Sequence, residues 1–189
     1  DYEVIIDITK DDEVIAKVQT ETLPKDSINL SDKLQCNYYS NDKIFKLANE
    51  VVHNRRLDTA VNRPDNLYLS LNDMVHKNRL VIPFINEKEE IEFYQTRTLR
   101  PQDNKIKPKY LGRVGSEKTL FNINKVSSDH DKVYIFEGPL NAFFTKNSVA
   151  VAGITERGRS FTARQEEQYS GHLKWYDKVW ILDSQWVDR

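Results

Sequence analysis

Val133-Tyr134-Ile135-Phe136-Glu137-Gly138-Pro139-Leu140-Asn141-Ala142 is the stretch on which the fold of this chain turns. Four largely apolar, β-prone residues run into one carboxylate, then a glycine, a proline and a new apolar run. That order predicts a buried strand with Glu137 at its carboxyl end and a helix starting beside it, over Gly138 to Phe144. The pattern returns at Lys178-Val179-Trp180-Ile181-Leu182, which leads to Asp183, with Asp188 close behind. Two apolar strands that each deliver an acid at the carboxyl tip are how an open α/β sheet builds a metal-dependent site. The expectation is a phosphoryl-transfer centre.

Acids at such tips suit nucleic-acid synthesis. Attack of a 3′-hydroxyl on the α-phosphate of a nucleotide gathers negative charge in line with a poor leaving group, so divalent ions do most of the stabilising. Mg²⁺ takes oxygen ligands and only one or two protein carboxylates. Glu137 and Asp183 would supply them, with Asp188 as a third. Gly138 lets the backbone approach a phosphate, Pro139 suits the first helical turn, and the helix start offers amides to an anion. Acids at strand ends also cap helices or lie solvated in loops, and Glu137-Gly138 alone is a short motif.

The segment before this strand adds the discriminating signal. Between Arg97 and Lys118 the basic residues are Arg97, Arg100, Lys105, Lys107, Lys109, Arg113 and Lys118, against Asp103 and Glu117, a local surplus of five positive charges in a chain of net charge -1. Tyr110 sits among them, and Gly112 and Gly115 loosen the backbone. Such a stripe neutralises phosphates, and an interleaved aromatic can stack on a base. A solvated surface loop is the plainer reading of the same run. Arg79 and the Arg55-Arg56 pair add positive charge upstream.

At 189 residues the chain has room for one large domain or two small ones. No apolar run approaches the roughly 20 residues that cross a bilayer. The chain opens with Asp1-Tyr2-Glu3, without a signal-peptide pattern. An opening without Met, and an end just past an acidic motif, lead us to expect a piece of a longer protein. Cys36 stands alone, which leaves no disulfide framework and no cysteine zinc site within these boundaries, and a reducing, cytoplasmic setting is expected. His53, His76, His130 and His172 show no metal-ligand spacing. Trp175, Trp180 and Trp186 read as core or interface.

Along the chain, Val4 to Ile8 and Val14 to Val18 predict a strand pair, followed by polar, turn-rich sequence from Pro24 to Ser40. Asp42 is placed to cap a helix whose apolar face is Ile44, Phe45, Leu47, Ala48, Val51 and Val52. After a break at Asn62 to Asn66, Leu80 to Ile85 and Ile91 to Thr96 predict a hairpin. From Lys132 the rhythm is strand, helix, strand, helix, strand, with Ser148 to Ala152 as the middle strand. The second helix, Thr162 to Tyr169, opens on a capping box at Thr162-Ala163-Arg164-Gln165. A boundary near Ser127-Ser128-Asp129 would divide an α+β lobe, residues 1–128, from an α/β lobe, residues 129–189.

This order of elements resembles bacterial-type DNA primases. Arg79-Leu80-Val81-Ile82-Pro83-Phe84, then Tyr94-Gln95-Thr96-Arg97, looks like the Arg-led apolar strand, hairpin and second Arg of that family's core. Pro108-Lys109-Tyr110-Leu111 and Lys118-Thr119-Leu120-Phe121-Asn122 resemble its next basic motif. Glu137-Gly138-Pro139-Leu140-Asn141-Ala142 resembles the first motif of the Toprim fold, Asp183-Ser184-Gln185 sits where its Asp-x-Asp belongs, and Gly153-Ile154-Thr155 fits the intervening pattern. The compact, divergent segments suggest a bacteriophage member.

The resemblance implies an α/β protein, with an N-terminal α+β primase lobe and a Toprim-like lobe incomplete at its C-terminal end. It implies synthesis of RNA primers from ribonucleoside triphosphates on single-stranded DNA, in the bacterial cytoplasm. A replicative helicase would be met through regions outside this chain, and no membrane is involved. Glu137 would be metal ligand or general base, and Asp183 would hold Mg²⁺ or Mn²⁺. Arg79, Arg97, Lys109, Arg113 and Lys118 would grip template, primer or triphosphate. Asn141 stands where many members carry Asp, and Gln185 replaces the second Asp of the paired motif. Toprim lobes also serve nucleases and topoisomerases, and Gln185 leaves a non-catalytic nucleic-acid-binding module open.

Overall fold

The computed structural model describes residues 5–7, 15–17, 22–153 and 161–182, the first two segments as backbone only. The architecture is mixed α/β, with one antiparallel and one parallel sheet beside a small hairpin. That hairpin pairs β1 (Ile5–Asp7) with β2 (Ile15–Lys17). The antiparallel sheet is a meander of β3 (Ser27–Asn29), β4 (Tyr68–Ser70), β5 (Arg79–Ile85), β6 (Ile91–Thr98) and β7 (Tyr110–Gly112). The parallel sheet has the order β10-β8-β9, from β8 (Lys132–Phe136), β9 (Ser148–Ala150) and β10 (Asp177–Ile181).

Helices form where the sequence supplies caps. Asp42 accepts from the amides of Ile44 and Phe45, both at 2.8 Å, and starts α2 (Lys43–Asn54), which buries Phe45, Ala48 and Val52. Thr162 and Gln165 form the expected capping box at the head of α4 (Ala163–Glu167), which runs into a π turn at Gln168–His172. The polar stretch from Pro24 to Ser40 was expected to be turns. It holds β3 and α1 (Lys33–Tyr38), which Asp32 caps and which buries no side chain. The helix after Glu137 is also shorter than expected: α3 (Pro139–Ala142) is a single turn, too short for an appreciable dipole. Trp175 is 84% exposed, with the Lys174 ammonium 4.8 Å from its ring, so it is not a core residue.

The two sheets share one core. Phe84 of β5 meets Phe93 of β6 at 5.1 Å and Phe121 at 5.2 Å, and Phe121 stacks on Phe143 at 5.4 Å. Contacts of this kind each contribute about 0.5–1.5 kcal/mol beyond the area they bury. Phe136, Leu140, Ala142 and Ala150 belong to this cluster, whereas Val133, Ile135 and Val149 pack on the far side with Leu173. Strand β8 is thus buried on both faces, as its near-continuous apolar run predicts for a parallel strand.

Polar groups complete the joint. Asn62, which the sequence reading took as part of a break, is 5% exposed. Its Nδ2 donates to the carbonyls of Ala142 at 3.1 Å and Ser148 at 2.9 Å, with the Ser148 hydroxyl also at 2.9 Å. Gln165 Nε2 donates to the carbonyls of Thr119 at 3.2 Å and Val151 at 2.9 Å, and Gln168 Oε1 accepts from the Leu120 amide at 2.7 Å. The two glutamines thereby satisfy buried backbone groups of Thr119, Leu120 and Val151.

Candidate active site

Glu137 follows the last residue of β8 and is held from both sides. Phe136 pairs in parallel register with Ile181 of β10. On the other side the Gly153 amide donates to the Glu137 carbonyl at 2.9 Å. That bond requires a sharp turn after β9, with φ of 60° at Ala152 and 92° at Gly153. Glycine takes such a φ without strain, and alanine does so at a cost of about 1–2 kcal/mol. The Glu137 side chain is half-buried, and no cation or donor of the described residues engages its carboxylate.

The Ala152 carbonyl joins this strand end to the antiparallel sheet. Lys118 Nζ donates to it at 3.3 Å and Gln95 Nε2 at 3.5 Å. Gln95 and Arg97 lie on one face of β6, and the register sets Arg97 between Leu80 and Tyr110. Two residues along a strand place Arg97 about 7 Å beyond Gln95. Its guanidinium lies 5.0 Å from the Tyr110 ring centroid and donates to the phenol oxygen, while Lys109 Nζ stands 5.6 Å from the same centroid. Arg55, at the end of α2, completes the group. Burial lowers its pKa, the Arg97 guanidinium lowers it further, and Tyr110 opposes. No carboxylate of the described residues pairs with Arg55, Arg97 or Lys109. Cations gathered without acids are arranged for an anion that the protein does not itself supply.

The remaining expected residues fall elsewhere. Arg79 is on the opposite face of the sheet from Arg97, 2% exposed, and its Nη2 donates to the carbonyls of Pro108 at 2.8 Å and Lys109 at 3.0 Å. Burial is the chief cause that lowers its pKa, and Asp103 opposes. Arg113 is half-buried, with Nη1 donating to the Glu92 carbonyl at 2.9 Å, on the hairpin-turn side of β7. Asp183 and Asp188, like Ile154, Thr155 and Gln185, lie outside the described residues. The described residues contain no cluster of three metal-ligating side chains.

Sequence reasoning gave no role to Gln95 or Ala152, and it noted Arg55 only as upstream positive charge. An open cavity of about 450 Å³ lies between His130–Lys132 and Thr145–Asn147. It is at the amino end of β8, away from Glu137, whereas open α/β sheets take ligands at their carboxyl ends. Glu137 is therefore the candidate site.

Solved structures with this fold exist. The chain is similar to the RNA polymerase domain of the Mycobacterium tuberculosis primase DnaG, at 12% identity and TM-score 0.52, over 77% of this chain and 62% of that one. It is also similar to a DnaG catalytic core, at 12% identity and TM-score 0.50, over 77% of this chain and 56% of that one. A DnaG primase catalytic domain bound to single-stranded DNA follows, at 13% identity and TM-score 0.48, over 75% and 55%. At such identities the likeness is one of fold, and the fold is that of primase catalytic domains. The chain spans less than two-thirds of the length of each. No family model matches the sequence, and no curated protein matches it significantly.

Proposed function

We propose that this chain is the catalytic core of a DNA primase, making short RNA primers on single-stranded DNA by metal-dependent nucleotidyl transfer. One observation carries the reading. Among the described residues Glu137 is an acid without a cation partner, tied through the Ala152–Gly153 turn to Lys118 and Gln95. Two residues along β6 from Gln95 stands Arg97, which with Tyr110, Lys109 and Arg55 makes a group without a described carboxylate partner. That division suits a reaction joining a phosphate at a metal site to a polyanionic strand. The likeness of fold to DnaG catalytic cores supports the same reading.

In the reaction the primer 3′-hydroxyl attacks the α-phosphorus of a ribonucleoside triphosphate. The new P–O bond forms, the bond to the β-phosphate oxygen breaks, the hydroxyl proton is released and pyrophosphate leaves. Glu137 and Asp183, with Asp188, would hold Mg²⁺ or Mn²⁺. Carboxylate oxygens suit either ion, and no described cation competes for Glu137. When bound, the ion neutralises charge building on the transferring phosphate. In this reading Glu137 serves as metal ligand or as general base for the attacking hydroxyl. Lys118 attracts phosphate beside Glu137, and Arg97, Lys109 and Arg113 bind strand or triphosphate. Tyr110 offers a ring face to a base. Arg79 serves from beneath by holding Pro108 and Lys109.

In this reading residues 1–128 supply the strand-binding lobe and residues 129–189 the Toprim-like metal lobe, with one core between them. Gln185 in place of a second acid would lower metal affinity unless Asp188 compensates. The setting is replication in the bacterial cytoplasm, of a phage or its host, with a replicative helicase engaged through other regions. No described helix is long and apolar enough to cross a membrane.

The test is primer synthesis on single-stranded DNA, with labelled ribonucleotides and Mg²⁺ or Mn²⁺, by the natural full-length protein and its Glu137→Gln variant. Short RNA made by the first and lost in the second is the expected result. Metal-dependent nicking without RNA would replace the primase with a nuclease or topoisomerase. DNA binding with neither activity would leave a binding module.

A further inference from the structure

The face of the antiparallel sheet opposite Arg97 carries a buried polar relay. His76 Nδ1 lies 3.0 Å from Thr96 Oγ1, and Arg79 Nε donates to the same oxygen at 2.9 Å. His76 and Arg79 are each 2% exposed and Thr96 is fully buried. The relay grips the chain around Tyr110 from both sides. Arg79 Nη2 donates to the carbonyls of Pro108 at 2.8 Å and Lys109 at 3.0 Å, and the Thr96 hydroxyl reaches the Leu111 carbonyl at 3.4 Å. One arrangement of protons leaves neither the imidazole N–H nor the hydroxyl unpaired. His76 donates from Nδ1 to Thr96, Arg79 donates to Thr96, and Thr96 donates to Leu111, which leaves His76 Nε2 as a bare lone pair.

Core packing does not call for these groups. Taking a guanidinium out of water costs several kcal/mol before its hydrogen bonds offset it, and a well-packed apolar side chain fills such a site at no such cost. What the relay does is orient three carbonyls that flank Tyr110. On the other side of the sheet the Tyr110 ring meets Arg97, and Lys109 Nζ stands 5.6 Å from that ring. Valine has the shape of threonine without the hydroxyl, so Thr96→Val removes the oxygen that holds Arg79 Nε and leaves the packing volume unchanged.

We propose that Thr96, backed by His76, is a positioning residue. Its hydroxyl aligns Arg79, and Arg79 holds the Pro108–Lys109 carbonyls so that Lys109 and Tyr110 are presented to nucleic acid. The inference rests on Lys109 and Tyr110 being strand-binding residues.

The experiment measures binding of fluorescently labelled oligodeoxythymidylate by anisotropy, together with urea unfolding, in a double-mutant cycle. Thr96→Val weakens binding about five- to tenfold, Thr96→Ser stays within about twofold, and Thr96→Val adds less than about twofold in the Tyr110→Ala background. A residue that merely supports the fold would cost the same factor in both backgrounds, and that result overturns the proposal. So does unchanged binding in Thr96→Val when Tyr110→Ala is weakened. If Thr96→Val does not fold, Arg79→Lys carries the same cycle, since an ammonium keeps the charge but cannot span threonine and two carbonyls. If neither Tyr110→Ala nor Lys109→Ala alters binding, the strand-binding reading itself fails and takes this inference with it.

Discussion

The two ends of the β5–β6 hairpin use arginine in opposite ways. At the turn end Arg164 of α4 lies 2.7 Å from Glu87, 2.8 Å from Glu92 and 2.9 Å from Glu167. The Glu92 hydrogen bond, ahead of the other carboxylates, raises its pKa further above the ordinary guanidinium range. At the far end Arg97 has a phenol and two further cations around it and no described carboxylate. One guanidinium is saturated by its own protein, the other is held in place and left without a counter-charge. Charge counting cannot tell these apart, because it records how many arginines a segment carries and not what each one touches.

That contrast breaks first under charge reversal. Arg97→Glu should weaken binding of single-stranded DNA roughly a hundredfold and flatten the dependence of log K on log salt by about one to two contacts, read by anisotropy across a salt series. Arg164→Met should leave that slope where it was. Its effect belongs to stability, a loss of about 1–2 kcal/mol in urea unfolding, discounted because the group is a quarter exposed and its partners partly solvated. A loss of DNA binding in Arg164→Met at full stability would show that the two ends are not divided as described.

The smallest effect concerns pH. Burial lowers the His76 pKa below its usual 6.5, with Asp73 opposing and Arg79 adding to the shift. Below pH 6.5 the unfolded chain therefore takes up a proton that the folded one refuses, so stability falls as pH drops through that value. Urea unfolding from pH 8 to pH 5 should show this acid loss, and it should be reduced in His76→Gln. An unchanged profile in that variant would show that His76 is not the group behind the acid loss.

Much of this organisation was legible locally. Asp42 and the apolar spacing behind it marked α2, Thr162 and Gln165 marked α4, and Phe136-Glu137-Gly138 marked the strand end. Strands β3 and β4 were not legible, because three residues cannot establish a period and their pairing is decided by neighbours far along the chain. Arg79 and Arg97 look alike in sequence, yet the hairpin register sends them to opposite faces, one into a buried relay and one towards Tyr110. Trp175 was expected in the core or at an interface, and its exposure removes the first of these. Gly153 stood out in the sequence as the head of Gly153-Ile154-Thr155, yet nothing local shows that the turn before it offers the Ala152 carbonyl to Lys118 and Gln95.

Asn62 bears on the order in which the protein assembles. Its amide meets acceptors 80 and 86 residues further along the chain. Helix α2 and the β5–β6 hairpin need only local sequence and can form as soon as they are made. Asn62, Phe84 and the rest of their shared core stay uncovered until Phe121, Phe143 and Ser148 arrive. Contacts of such separation are closed late and set the pace of folding. On the ribosome, at about 5–20 residues per second, this leaves an open apolar face waiting for several seconds.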